Sequence, residues 1–172
     1  MGADLGERLV RASEIHGDFV LSSGKRSTVY FDKFRFLADP VLLEEVASAV
    51  REKVPPETTH LAAPEGAATL LLAAVGLETG KPMVVVRKER KAYGTRSRVE
   101  GVLEDGARVA LIEDVSTTGN QVAAAARALE EEGAAVELIV LVIDRGGADP
   151  LRDAGYRVES LVSLRPESRP DS

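Results

Sequence analysis

Apolar residues recur along this chain in two rhythms. Leu5, Leu9, Val10 and Ala12 sit at helical spacing, which predicts an amphipathic helix ending near His16-Gly17. Residues 19–21 and 29–31 read as two short strands around the turn Ser22-Ser23-Gly24-Lys25. Asp39 is placed to cap a helix, Pro40 takes its first position, residues 42–50 supply its buried face, and Pro55-Pro56 ends it. Short apolar runs then alternate with helical segments. Strands are expected at 60–63, 83–86, 109–112, 136–143 and 156–162, and helices at 66–79, 120–132 and 151–154, with Gly133 closing the second of these helices. Unbroken β-branched runs separated by helices imply strands covered on both faces. The expected fold is therefore α/β, a mainly parallel central sheet flanked by helices. In such sheets ligands sit beyond the carboxyl ends of the strands, so chemistry is sought just after each run.

Composition narrows the function classes. The chain has 172 residues, 44% hydrophobic and 29% charged, which fits a single globular domain over 1–172. Aromatic residues are only 4%, so Val, Leu, Ile and Ala must build the core. Asp and Glu number 28 against 22 Lys and Arg, a net charge of −6, which argues against the broad basic face of a nucleic-acid binder. Cysteine is absent, excluding disulfides, thiol nucleophiles and cysteine metal sites. With only His16 and His60, a multi-histidine metal site is also excluded. No run approaches the ~20 apolar residues of a membrane span, and no signal pattern opens the chain, so a cytoplasmic location is the expectation. The polar tail, about 166–172, contains two prolines and is expected to fray.

The run at 109–112 is followed by Glu113, Asp114, Val115, Ser116, Thr117, Thr118, Gly119, Asn120 and Gln121. Two carboxylates leave the strand, a small hydroxyl-rich turn follows, and a helix begins. Small residues let backbone N–H groups approach an anion, the helix start adds its positive dipole end, and three hydroxyls add donors; this is a phosphate cradle. The carboxylates repel phosphate and suit what lies beside it, either sugar hydroxyls or a divalent cation. Taken alone, the segment also fits a strand end with ordinary helix caps. No G-x-x-x-x-G-K-[ST] motif is present, which excludes a nucleotide P-loop.

A second feature is residues 87–98, of which six of twelve are basic and one is acidic. Such a cluster repels itself and calls for a counter-anion, and Gly94 with its polar neighbours favours mobility. By itself it also fits a solvated hairpin or a basic patch for nucleic acid. Two further strand ends carry candidates. Pro64, Glu65 and Gly66 form a strand-to-helix turn, and Arg145 follows a buried run, where its planar fork could meet a carboxylate with two bonds.

Residues 113–121 closely resemble the signature of type I phosphoribosyltransferases, which bind 5-phosphoribosyl-1-pyrophosphate (PRPP). Arg87, Lys88, Glu89, Lys91, Gly94 and Val99-Glu100-Gly101 resemble the catalytic loop of the orotate phosphoribosyltransferases within that family. Residues 17–25 with Tyr30-Phe31-Asp32 resemble their small N-terminal hood, here about 17–35, and Arg145 matches the arginine that pairs with the orotate carboxylate. The resemblance extends over about residues 17–162.

The resemblance implies transfer of ribose 5-phosphate from PRPP to orotate, giving orotidine 5′-phosphate and pyrophosphate in pyrimidine (UMP) biosynthesis. It implies catalytic roles for Lys88, Lys91 and Asp114. PRPP contacts would come from Arg87, Lys88, Lys91, Tyr93, Glu65 and Gly66, and from Glu113, Asp114, Val115, Ser116, Thr117, Thr118, Gly119, Asn120 and Gln121. Orotate contacts would come from Lys25, Thr117 and Arg145. Mg²⁺ would be carried by PRPP, with no direct protein ligand. The implied partners are PRPP, orotate and a second copy of the chain, with no nucleic acid and no membrane. The chain departs from the family pattern at three places: Tyr93 stands where histidine is usual, Ala67-Ala68 replace glycines, and Ser22 stands where some members carry a lysine, for which Lys25 is the nearby substitute. These departures keep open a phosphoribosyltransferase for another base. A non-catalytic PRPP-binding regulator is the other alternative, although it should carry a DNA-binding element that the acidic composition does not suggest.

Overall fold

The computed structural model of the chain describes residues 2–20, 24, 26–89 and 97–164. Helix α1 (Gly2–Ser13) leads into a hairpin of β1 (Glu14–Val20) and β2 (Arg26–Phe31), followed by the single turn α2 (Phe34–Leu37) and helix α3 (Pro40–Arg51). The remaining elements alternate: β3 (His60–Pro64), α4 (Ala68–Thr79), β4 (Met83–Val86), β5 (Val99–Glu100), β6 (Arg108–Ser116), α5 (Asn120–Glu131), β7 (Ala135–Asp144), α6 (Ala148–Asp153) and β8 (Val158–Ser163). No helix among the described residues is long and apolar enough to cross a membrane.

The central sheet has the order β5-β4-β3-β6-β7-β8 and is parallel except for the antiparallel edge strand β5. The expected mixed α/β architecture is therefore present. Period-two alternation divides the core. Ala63, Ile112, Val140 and Val142 face one cluster with Leu9, Phe36, Val46 and Leu71, while Ala62, Leu111, Ile139 and Leu141 face the other with Val122, Ala126, Leu129 and Leu151. Each large aliphatic side chain removed from water contributes ~1.5–3 kcal/mol, so the small aromatic content is no handicap. From β3 the chain passes to β4 on one side and, later, to β6 on the other. The order reverses between β3 and β6, and a crevice at their carboxyl ends is where this architecture places ligands.

Several boundaries differ from the periodicity. The first helix ends at Ser13, three residues before His16, because pairing with β2 takes over: Glu14 pairs with Phe31, Ile15 with Tyr30 and His16 with Val29. Gly17 therefore lies inside β1, at an irregularity between His16 and Phe19, and does not end the helix. The Asp39 cap forms as expected, Oδ1 accepting from the N–H groups of Val41 at 2.9 Å and Leu42 at 3.1 Å. Helix α3 stops at Arg51, ahead of Pro55. Helix α4 starts at Ala68, two residues later than expected, since Gly66 adopts φ +121°, a conformation no helix contains.

The most consequential difference is at β6, which continues through Glu113 and Asp114 to Ser116. Its register with β7 carries on, Glu113 opposite Leu141, Val115 opposite Ile143 and Ser116 opposite Asp144. The acidic pair is thus held in the strand and does not follow it. Helix α2 and strand β5 have no clear periodic signal, being four and two residues long; α2 exists because Phe36 and Leu37 are buried.

Candidate active site

The end of β6 is an unusual place to bury charge. Glu113 and Asp114 are both buried, only 3% and 0% exposed. Pairing with β7 continues past them, whereas pairing with β3 ends at Leu111, so they stand where β6 runs beyond β3. The Asp114 N–H donates to Glu113 Oε1 at 3.2 Å, and the Val115 N–H donates to Asp114 Oδ1 at 2.6 Å. A cation reaches the pair from the hood side: Lys33 Nζ lies 3.1 Å from Asp114 Oδ1. Asp114 Oδ2 is buried without a hydrogen-bond partner among the described residues. Burial, reinforced by the neighbouring Asp114, pushes the Glu113 carboxyl up to about 9, with Lys33 opposing the shift. Burial and the adjacent carboxylate thus favour the uncharged form of Glu113.

The turn after β6 is packed closely. Gly119 caps α5 at φ +74°, and a Cβ there would lie 2.7 Å from Gly147 O. A Cβ on Gly147 would overlap Ser116 Oγ. Two glycines thus let the β6–α5 and β7–α6 turns touch, backbone against backbone. The contact is extended by the Arg145 N–H, which donates to Ser116 O at 2.8 Å. Asp144 Oδ1 holds the second turn by accepting from the N–H groups of Gly146 at 2.9 Å and Ala148 at 3.0 Å. Ser116 and Gly119 are buried, Val115 is half-buried, and Thr117, Thr118, Asn120 and Gln121 are exposed at the start of the twelve-residue helix α5. This is the arrangement of an anion site: orphan helix N–H groups and hydroxyls facing solvent.

At the neighbouring strand end, the Glu65 N–H donates to Val86 O at 2.8 Å, and Glu65 Oε1 accepts the Lys88 N–H at 2.9 Å. Arg87 lies 4.0 Å from Glu65 and 3.8 Å from Glu100. Glu65 therefore braces the base of the 87–98 segment, a role its place in the 64–66 turn did not indicate. Gly66, exposed and without any atom near its missing side chain, leaves its backbone open. A cavity of about 320 Å³ lies between Arg87, Lys88 and Arg98 on one side and Asn120 and Gln121 on the other. It brings the first residues of the basic segment to the phosphate cradle. Arg145 is exposed, its guanidinium 5.1 Å from the centre of the Phe31 ring, so it faces the hood. Lys25, Lys91 and Tyr93 lie outside the described residues.

Sequence reasoning missed two members of this constellation. Lys33 is 81 residues from Asp114, and no local pattern links them. Asp144, between a buried run and Arg145-Gly146-Gly147, carried the ordinary signal of a residue that caps a turn.

Residues 41–167 match the family model described as the phosphoribosyl transferase domain. The orotate phosphoribosyltransferase of Methanocella arvoryzae is 40% identical over 165 residues, which is 94% of each chain. The chain belongs to the orotate phosphoribosyltransferase family. Solved members of that family have the same fold. The Mycobacterium tuberculosis orotate phosphoribosyltransferase in complex with Fe(III) dicitrate superposes with a TM-score of 0.83 at 31% identity, over 95% of this chain and 96% of that one. The same enzyme in complex with PRPP gives 0.79 at 28% identity, again over 95% and 96%.

The raised Glu113 carboxyl has a consequence for stability. Unfolding returns it from about 9 to its ordinary 4.5. Its contribution is complete below the lower value and is lost as pH rises toward the upper one. The melting temperature of the wild type relative to Glu113→Gln is expected to fall between about pH 5 and pH 9. A difference that is flat with pH in thermal melts contradicts this.

Proposed function

We propose that this chain transfers the 5-phosphoribosyl group of PRPP to orotate, releasing pyrophosphate and forming orotidine 5′-phosphate. The observation that carries the reading is the buried acidic pair at the switch point of the sheet, one turn before an open helix N-terminus. A ribose 5-phosphate has this spacing of chemistry, a neutral diol at one end and a dianion at the other. Glu113 and Asp114 hold the diol; the hydroxyls and N–H groups of 116–121 hold the phosphate. Arg87, Lys88 and Lys91 neutralise the pyrophosphate, Gly66 offers it backbone contact, and Arg145 beside Phe31 receives the orotate carboxylate, with Lys25 and Thr117 completing the base end.

The reaction breaks the bond from C1 of the ribose to the pyrophosphate oxygen, which takes the electron pair. A ring nitrogen of orotate forms the new bond to C1 and gives up its proton to solvent or to the departing pyrophosphate. Positive charge develops on the ribose between these events, so the site works by alignment and electrostatics without a strong base. The shortage of histidine is consistent with that. Among the described residues no group of three or more His, Cys, Asp or Glu could hold a metal. A Mg²⁺ would therefore arrive on the oxygens of PRPP, with no side chain of this site as its direct ligand. When bound, such an ion supplies charge neutralisation at the leaving pyrophosphate.

The reading includes a homodimer. Helix α4 is apolar on all sides, and Leu70, Ala73, Ala74 and Leu77 form a stripe along it, with Leu77 86% exposed. An apolar stripe on a surface helix calls for a cover, and the chain's own second copy is the cover proposed.

Two measurements test the reading. Pyrophosphate release from PRPP is expected only with both orotate and Mg²⁺ present. Silence with orotate and turnover with uracil, hypoxanthine or adenine moves the assignment to another base. In sedimentation, the wild type is expected at twice the mass of the chain and Leu77→Glu at the monomer mass; a wild type already monomeric at micromolar concentration contradicts the dimer.

A further inference from the structure

Lys33 stands in the turn after β2, at the hood's edge, and its ammonium crosses to the mouth of β6. It lies 3.1 Å from Asp114 Oδ1, the same oxygen that accepts the Val115 N–H at 2.6 Å. One oxygen of the carboxylate is therefore engaged twice, while the other, equally buried, has no hydrogen-bond partner among the described residues. This asymmetry has two physical effects. A buried carboxylate without a counter-charge is strongly disfavoured, and Lys33 supplies that charge. Holding Oδ1 from two directions also fixes the rotation of the carboxylate, leaving Oδ2 as its one acceptor for an incoming group. Lys33 itself is only partly buried and comes from a different structural layer than the carboxylate it holds.

We propose that Lys33 is a positioning residue for the ribose: it clamps Asp114 Oδ1 from the hood, presents Oδ2 to the sugar diol, and so sets the affinity for PRPP. The inference rests on the phosphoribosyl-transfer reading and deepens it, adding a residue from the base-binding end to the grip on the sugar. Because Lys33 acts through Asp114, its influence falls on PRPP and not on orotate. The hood and the sheet are then tied twice at the site, by Lys33 to Asp114 and by Arg145 to Phe31.

The test compares wild type, Lys33→Met and Lys33→Arg in the full chain. PRPP binding is measured by calorimetry without orotate, and KM for both substrates, kcat and melting temperature are recorded. Loss of a charged hydrogen bond predicts about 10- to 100-fold weaker PRPP binding and a matching rise in its KM for Lys33→Met. The KM for orotate and kcat are expected to stay within about threefold. Lys33→Arg, which keeps the charge, recovers most of the binding. Lys33→Met that binds PRPP as the wild type does overturns the proposal. So does a loss spread evenly over both KM values and kcat, accompanied by a lower melting temperature and not rescued by Lys33→Arg, since that pattern belongs to a residue that merely holds the hood. Failure of the wild type to bind PRPP at all overturns the phosphoribosyl-transfer reading instead.

Discussion

The structure depends on burying two adjacent carboxylates at the end of a central strand. Both side chains are shielded from water, and two negative charges in one dry place repel each other strongly. The fold meets this by favouring the uncharged form of Glu113 and by bringing the Lys33 ammonium to Asp114. What remains is an oxygen, Asp114 Oδ2, that is buried without a hydrogen-bond partner among the described residues. A buried acceptor left unpaired is costly, and a ligand that satisfies it recovers that cost on binding. Stability is thus given up in the empty protein in favour of recognition of a hydroxyl-bearing ligand.

The rest of the molecule positions that oxygen. Two core clusters, one on each face, hold β6 rigid. The close meeting of Gly119 with Gly147 brings the start of α5 within one turn of the acidic pair. Glu65 ties the turn after β3 to the first residues of the basic segment, so the residues expected to meet pyrophosphate begin beside those expected to meet the 5-phosphate. On the proposed reading the ligand charges are neutralised at strand ends of one sheet: the 5-phosphate after β6, the pyrophosphate after β3 and β4, and the orotate carboxylate after β7. This is how a fold with little side-chain chemistry can stabilise a developing cation: it fixes the reactants and arranges charge around them.

Much of this was legible in the residues. The apolar runs located the parallel strands because strands buried on both faces carry no alternation to confuse the reading. The order acidic, acidic, apolar, three hydroxyls, glycine marked the site, since its chemistry is local to one strand–turn–helix unit. What failed was of two kinds. Boundaries moved where tertiary pairing overrode local signals: Gly17 was drawn into β1 by β2, and β7 extended β6 through Glu113 and Asp114. Long-range partners were invisible, because nothing in Lys33 or Phe31 announces Asp114 or Arg145 across more than eighty residues. The upward shift of the Glu113 carboxyl was equally hidden, for it follows from burial depth, which no motif encodes.

The central claim is that the acidic pair recognises a sugar diol. It is tested most directly by calorimetric binding of ribose 5-phosphate against 2-deoxyribose 5-phosphate, ligands that share the phosphate and differ by one hydroxyl. If Asp114 Oδ2 accepts from the diol, the ribose compound binds at least about tenfold more tightly, as expected when a buried polar group is left unpaired by the analogue, and Asp114→Asn narrows the difference. Equal affinities for the two sugars would contradict the account.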